Sequence, residues 1–253
     1  VSDITVPSDL YAHSVQSIFI LPVDVNGFVD YKVERLFDGR SFATRSIQCI
    51  QNGKISVIVQ ISYHKTEPHS CHHQSIMPSV PSPEECEEFN IHMNYKNAYT
   101  PADQRIESID NKINMKHYPY NWRSTNFDQF QRETNPYAKY PFWVKYKFEV
   151  DNDIHRQRQT LLYISDACHN LMVFNAHNRN GFVPSMSFTL NHIVYFHSPI
   201  IQADQWMLFE FQSIVSGNAR GLSQVKVWNE KGDIIASINQ EVIIRTRGQQ
   251  SRL

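Results

Sequence analysis

No apolar run in the 253 residues reaches the roughly 18 positions of a membrane-crossing helix, so no helical span is expected. Charge of neither sign is in excess. The 24 Lys and Arg against 25 Asp and Glu leave a formal charge of −1, which gives no global attraction for nucleic acid or an anionic membrane. Cysteine is sparse: Cys49, Cys71, Cys86 and Cys168 stand in unrelated contexts without framework spacing, and no Asn-x-Ser/Thr acceptor occurs. An oxidising secretory compartment therefore has no support, and reduced thiols are expected. The opening "VSDITVPSDL" lacks the basic and apolar regions of a secretory signal. What is present, 41% hydrophobic and 19% charged residues, suffices for a sizeable core.

The most informative positive feature is an internal repeat. "SIFILPVDVNGFVDYKVERLFDGRSFATRSIQCIQNGKISVIVQISY" alternates apolar and polar residues between turn signals, including an Asn-Gly hairpin, and reads as a run of antiparallel strands. "HIVYFHSPIIQADQWMLFEFQSIVSGNARGLSQVKVWNEKGDIIASINQEVIIR" does the same. Pro22 matches Pro199, Gly39 matches Gly217, Gly53 matches Gly232 and Gln60 matches Gln240, the offset drifting only from 177 to 180 residues. The chain is expected to be a duplicated α+β protein. Its second repeat is preceded by an alternating strand, "FWVKYKFEV" (Phe142 to Val150), and a helix, so a curling sheet can wrap that helix in a hot-dog arrangement. The first repeat lacks an equivalent helix and opening strand. It reads as starting in mid-domain, with an uncovered apolar face.

The helix, from about His155 to His177, carries Leu161, Ile164, Cys168, Leu171 and Met172 at steps of three and four. Within it "YISDACHNL" sets Asp166, Cys168 and His169 side by side, the parts of a cysteine hydrolase. On one continuous helix, however, Cys168 falls in the apolar stripe and Asp166 points ~160° away, so the three cannot converge as nucleophile, base and orienter. Cys168 is expected to be core, and Asp166 either surface or functional.

Four segments are expected: residues 1–63 as the first repeat, 64–141 as a proline-rich linker, 142–246 as the second repeat, and 247–253 as a tail. Within the linker, His69, Cys71, His72 and His73 resemble metal ligands, but no second pair stands at finger or zincin spacing, and no metal or cofactor is expected. The acidic "PSPEECEEF" reads as a solvated turn. The last residues, Ser251-Arg252-Leu253, form a conservative variant of the Ser-Lys-Leu peroxisomal address and predict recognition by an import receptor.

"VERLFDGRSFATRSIQCIQNGK", "SIMPSVPSPEE", "LLYISD", "YFHSP", "WMLFEFQS" and "ARGLSQVKVWNEKGDIIASINQEVIIR" together resemble the type II acyl-CoA thioesterases, bacterial and peroxisomal double hot-dog proteins. The resemblance covers nearly the whole chain. It implies two antiparallel sheets each wrapping a long helix, the first helix being absent here. It also implies hydrolysis of acyl-CoA to fatty acid and CoA in the peroxisome matrix, and assembly into a homo-oligomer. Its water-holding residues match Asp166 in "YISD", Thr189 in "SFTLNH" and Gln240 in "INQE". Each taken alone is ordinary, as helix surface, strand former or sheet-edge amide. The family's Asp-His-Ser run after the Thr position is here Asn191-His192-Ile193, which predicts altered support around the site. Two other readings fit less of the sequence. An enoyl-CoA hydratase would want an Asp/His pair, and a non-catalytic acyl-CoA-binding or assembly protein would fit the incomplete first repeat.

Overall fold

The computed structural model describes residues 1–89, 118–179, 182 and 184–246. The first repeat supplies β1 (Leu10–Phe19), β2 (Asp30–Asp38), β3 (Phe42–Gln51) and β4 (Lys54–Lys65). The second supplies β7 (Pro184–Phe196), β8 (Met207–Gly217), β9 (Arg220–Asn229) and β10 (Ile234–Thr246), and between them lie β5 (Tyr120–Ser124) and β6 (Lys139–Tyr146). All ten form one sheet, ordered β2-β3-β4-β1-β7-β10-β9-β8-β6-β5. Outward from the β1–β7 contact, the two repeats run through their strands in the same sequence. The two sheets of the expected double hot dog are thus one continuous antiparallel sheet, joined where Ser14 to Ile18 pair with Tyr195 to Asn191.

Turn chemistry fixes the register within each repeat. Asn52 and Gly53 take φ of 51° and 72° between β3 and β4, and Asn218 and Ala219 take 51° and 57° between β8 and β9. Positive φ at both central residues gives the turn the twist of its flanking strands.

Three helices complete the described fold: α1 (Phe127–Arg132), α2 (Ile154–Ser165) and α3 (His169–Arg179). Asp153 caps α2 by accepting from the Arg156 N–H at 2.9 Å. Leu161 and Ile164 of α2 and Leu171 and Met172 of α3 are buried in one core with Val194, Phe209, Phe211, Val225 and Ile238 of the second repeat. At Gly221 of β9 a Cβ would lie 2.2 Å from Val173 Cγ1, so only glycine lets α3 settle this closely on the sheet.

The first repeat has no such helix among the described residues. A cavity of about 310 Å³ lies under its sheet, lined by Val15, Ile47, Val59 and Ile61 and closed on one side by Leu162 and Arg158 of α2. Its rim is held by a clamp built on "DGRSFATR". Arg45, wholly buried, donates to Thr5 Oγ1 and Thr5 O, to the Phe37 and Thr44 carbonyls, and to the Asp38 carboxylate. These bonds pin the N-terminal turn, Ser2–Thr5, which Tyr63 also holds through Ser2 and Asp3.

The expected linker is more structured than its prolines suggested. β5, α1 and the start of β6 fall inside it, and the strand expected over Phe142 to Val150 runs instead from Lys139 to Tyr146. Pro141 is tolerated within β6 because pairing with β5 ends at Phe142, leaving no β5 residue opposite the proline. Further upstream, Gln74 bonds Gly232 O and the Ile234 N–H, Ser75 accepts from Lys226, and Pro81 O accepts from Trp143 Nε1. This strap covers a second apolar cluster of Cys86, Trp143, Trp206, Leu208 and Trp228. Residues 90–117 of the linker and the tail 247–253, with Ser251, Arg252 and Leu253, lie outside the described residues.

Candidate active site

The single helix expected over His155 to His177 is two helices. α2 stops at Ser165, Asp166 caps it, Cys168 takes a left-handed φ of 66°, and α3 begins at His169. A non-glycine residue in that conformation costs on the order of 1–3 kcal/mol, so its surroundings must hold the break. They do so visibly. The Ser165 carbonyl, which an unbroken helix would satisfy with the backbone N–H of residue 169, instead receives the His169 ring at Nε2, 2.8 Å away. His169 is fully buried there, and burial pushes its imidazole down to about 3, so it stays neutral. Cys168 packs half-buried against the core, as its place in the apolar stripe implied. The break aims the Asp166 side chain at the sheet, where a continuous helix would have turned it away.

The sheet meets it with two side chains. Gln240 of β10 is buried, and its Nε2 donates to Asp166 Oδ1 at 3.0 Å and to Thr189 Oγ1 at 2.7 Å. Thr189 stands close enough to the Asp166 carboxylate to favour its ionised form. Strict alternation would put Thr189 of β7 on the opposite face from His192, three residues on. A bulge prevents this. His192 pairs with Gln240 and Asn191 with Glu241, but Thr189 pairs with Val242, so Leu190 is the extra residue and Thr189 returns to the face of Gln240. The structure therefore brings all three expected residues, Asp166, Thr189 and Gln240, to one point.

Asp166 keeps one side exposed to solvent while Gln240, Thr189 and His192 crowd the other. Burial of that inner side raises its pKa above the ordinary 3.8, against the opposing pull of His192 and of the Gln240 amide and Thr189 hydroxyl. A carboxylate so placed is a stronger base than a fully solvated one and is still reachable by water. The break adds a second feature. The first turn of α3, which begins three residues after Asp166, carries backbone N–H groups with no partner inside the helix.

Two residues of this network were not singled out from the sequence. His192 lies opposite Gln240, with Nδ1 2.6 Å from Gln240 Oε1, and its Nε2 is 2.8 Å from Ser165 Oγ. The available signal was the histidine of Asn191-His192-Ile193, the one residue of the family's Asp-His-Ser run that this sequence keeps. Asn191, whose departure from the family pattern predicted altered support, lies on the other side of the strand. Its amide donates to Glu241 Oε2 at 3.1 Å, and Glu241 is itself paired with Arg220. That departure does not enter the Asp166 network. His69, Cys71, His72 and His73 are all exposed on the chain leading into the strap.

Comparison with known proteins gives a consistent result. The model of the acyl-CoA thioesterase C-terminal domain matches residues 92–244, and that of the N-terminal domain matches residues 3–64. The chain is 32% identical over 255 residues to acyl-coenzyme A thioesterase 8 of Homo sapiens, covering 98% of this chain and 77% of that protein. It is 22% identical over 281 residues to peroxisomal acyl-coenzyme A thioester hydrolase 1 of Saccharomyces cerevisiae, covering 94% and 80%. The crystal structure of the acyl-CoA thioesterase II TesB2 from Mycobacterium marinum superposes with a TM-score of 0.75 at 21% identity, over 98% of this chain and 86% of that one. The last likeness establishes the hot-dog fold.

Proposed function

We propose, from the premise that this chain belongs to the acyl-CoA thioesterase family and is a thioester hydrolase, that Asp166 drives attack of water on the acyl-CoA carbonyl with Thr189 and Gln240 holding the geometry. The observation that supports this reading is the reach of one amide: Gln240 Nε2 bonds both Asp166 and Thr189, and Asp166 still has an open side. A thioester expels a thiol of pKa about 8.5, so departure needs little acid assistance and the demanding step is directing water. Asp166 accepts the water's proton as the O–C bond forms. Gln240 keeps the carboxylate and the Thr189 hydroxyl from rotating, and the half-buried Thr189 offers a polar contact to the water. The backbone N–H groups opening α3 are the candidates for stabilising the oxyanion. The C–S bond then breaks, and the thiolate takes the proton from Asp166 or from solvent. No covalent enzyme intermediate is required.

The test is release of free thiol from acyl-CoAs of graded chain length, run on the wild type and on Cys168→Ala. We expect turnover in both, within about threefold of each other, since the thiol contributes packing only. Binding of acyl-CoA without thiol release would establish the non-catalytic reading instead. Loss of turnover in a folded Cys168→Ala protein would restore a thiol mechanism.

The same reading extends to location and assembly. The Ser251-Arg252-Leu253 ending fits the peroxisome matrix and fatty-acid metabolism there, with a relative named peroxisomal in yeast as further support. Deleting these three residues is expected to leave a fluorescent fusion in the cytosol; import of the deleted form would count against the address. A homo-oligomer is supported by β2, which forms one edge of the sheet and exposes Tyr31, Leu36 and Phe37.

A further inference from the structure

A carboxamide has nearly the same shape in its two orientations, so packing does not choose between them and hydrogen bonding must. For Gln240 the choice decides the site. With Nε2 toward Asp166 and Thr189, both receive a donor. Turned over, the amide would set its oxygen against a carboxylate oxygen and lose Asp166, keeping only a bond accepted from the Thr189 hydroxyl.

The selecting group is on the far side of the amide. His192 Nδ1 lies 2.6 Å from Gln240 Oε1, and both side chains are buried from water. A bare Nδ1 there would put two lone pairs in contact, so the ring must carry its proton on Nδ1. A neutral imidazole then has a bare Nε2, which needs a donor, and Ser165 Oγ is 2.8 Å away. The Ser165 hydroxyl also lies 2.7 Å from the Leu162 carbonyl, so its one hydrogen has two claimants. The ring takes it. The alternative that leaves the hydroxyl to Leu162 is an imidazolium donating from both nitrogens, a buried charge that burial of His192 disfavours against the opposing pull of Asp166, and the buried His169 ring packs edge-on against the His192 ring at 5.8 Å. The protons thus run in one direction, from Ser165 to His192 to Gln240 to Asp166 and Thr189.

Resting on the reading of Asp166, Thr189 and Gln240 as the water-directing set, we propose that His192, held by Ser165 as the Nδ1–H tautomer, is a positioning residue that fixes the orientation of the Gln240 amide. His192 has no contact with the open side of Asp166 to suggest a role as base. Its effect passes through Gln240. Ser165 and Asp166 are adjacent at the helix break, so one local feature supplies both the base and the hydroxyl that orients its partner.

Two measurements test this. In the wild-type protein with ¹⁵N-labelled histidine, the ring nitrogens of His192, assigned by their loss in His192→Asn, should show a protonated Nδ1 and a bare Nε2 at neutral pH. An Nε2–H tautomer or an imidazolium would overturn the proposal. Kinetically, His192→Asn places an amide donor near the Nδ1 position, whereas His192→Gln reaches toward Nε2 and His192→Ala has no donor. We expect kcat within about fivefold of wild type for Asn, losses of about tenfold or more for Gln and Ala, and KM within about twofold throughout. Gln, nearer to His in volume, performing as well as Asn would reduce His192 to packing and overturn the proposal. A wild-type protein that releases no thiol would overturn the reaction reading itself, and the spectrum would distinguish that failure from a wrong tautomer.

Discussion

Asp166→Asn is expected to lower turnover by about 100-fold or more, because the amide keeps the size of the side chain and removes the base. The substitution leaves the contact with Gln240 available, since the Asn carbonyl can accept from Nε2 as Oδ1 does. Folding should therefore survive, and the pH dependence of stability gives an independent check. The folded pKa of Asp166 is raised above 3.8 by burial, so the folded state holds this proton more tightly than the unfolded chain does. The stability that the protonated form contributes is fully present below 3.8 and is lost as pH rises through the raised folded value. Above that window the ionised wild type carries a desolvation cost that Asn does not. The variant should consequently melt at the same temperature as wild type or higher at neutral pH, while being nearly inactive. For the wild type, kcat/KM should fall on the acid side with a midpoint above the ordinary carboxylate value. Wild-type-like turnover in folded Asp166→Asn would remove this residue from the mechanism.

Gln240→Ala should cost a comparable factor in turnover, with a larger cost in stability. It removes the donor to Asp166 and Thr189 and also leaves the His192 Nδ1–H, at a buried position, without its acceptor. An orphaned buried donor costs about 1–3 kcal/mol, so the variant must be assayed well below its melting temperature. Thr189→Ala removes one partner of the same amide and should lower the rate by a similar or smaller factor. Since the residues act on one water, the double variant Thr189→Ala with Gln240→Ala should be little slower than Gln240→Ala alone. Rate losses that multiply would mean that the two side chains have separate tasks.

How much of this was readable beforehand varied with the kind of signal. The eight strands of the two repeats were legible because alternation writes them into the sequence between Asn-Gly-type turns; seven of them bury residues in the sheet, while β2 lies exposed along its edge. β5 was not, because Tyr120, Trp122 and Ser124 form an alternating run too short to stand out in a proline-rich stretch. Asp166 and Gln240 came from resemblance to a family, and the geometry that joins them was hidden. The helix break leaves no trace in the apolar spacing, because Leu161 and Ile164 before it and Leu171 and Met172 after it all reach the same core. The bulge at Leu190 is equally silent: one extra residue in a strand preserves composition while moving Thr189 to the other face. His192 is a lone inward histidine on a strand, which sequence alone does not distinguish from a core residue, and the side chain of its neighbour Asn191 serves a salt-bridged glutamate away from the site.

The contact between β1 and β7 bears on how the chain tolerates being divided. β7 carries Thr189 and His192 and is flanked by β10 on one side and β1 on the other. Gene fragments that separated the repeats would strip β7 of a neighbour over Asn191 to Tyr195, uncovering a row of backbone donors and acceptors in the strand that carries Thr189 and His192. A half expressed alone would therefore pair with whatever strand it met first, its own copy included. Co-expressed halves, by contrast, have each other's edge as a ready template. The two repeats share one sheet and so have no clean line of separation, and in the proposed mechanism the first serves as a buttress to the site in the second.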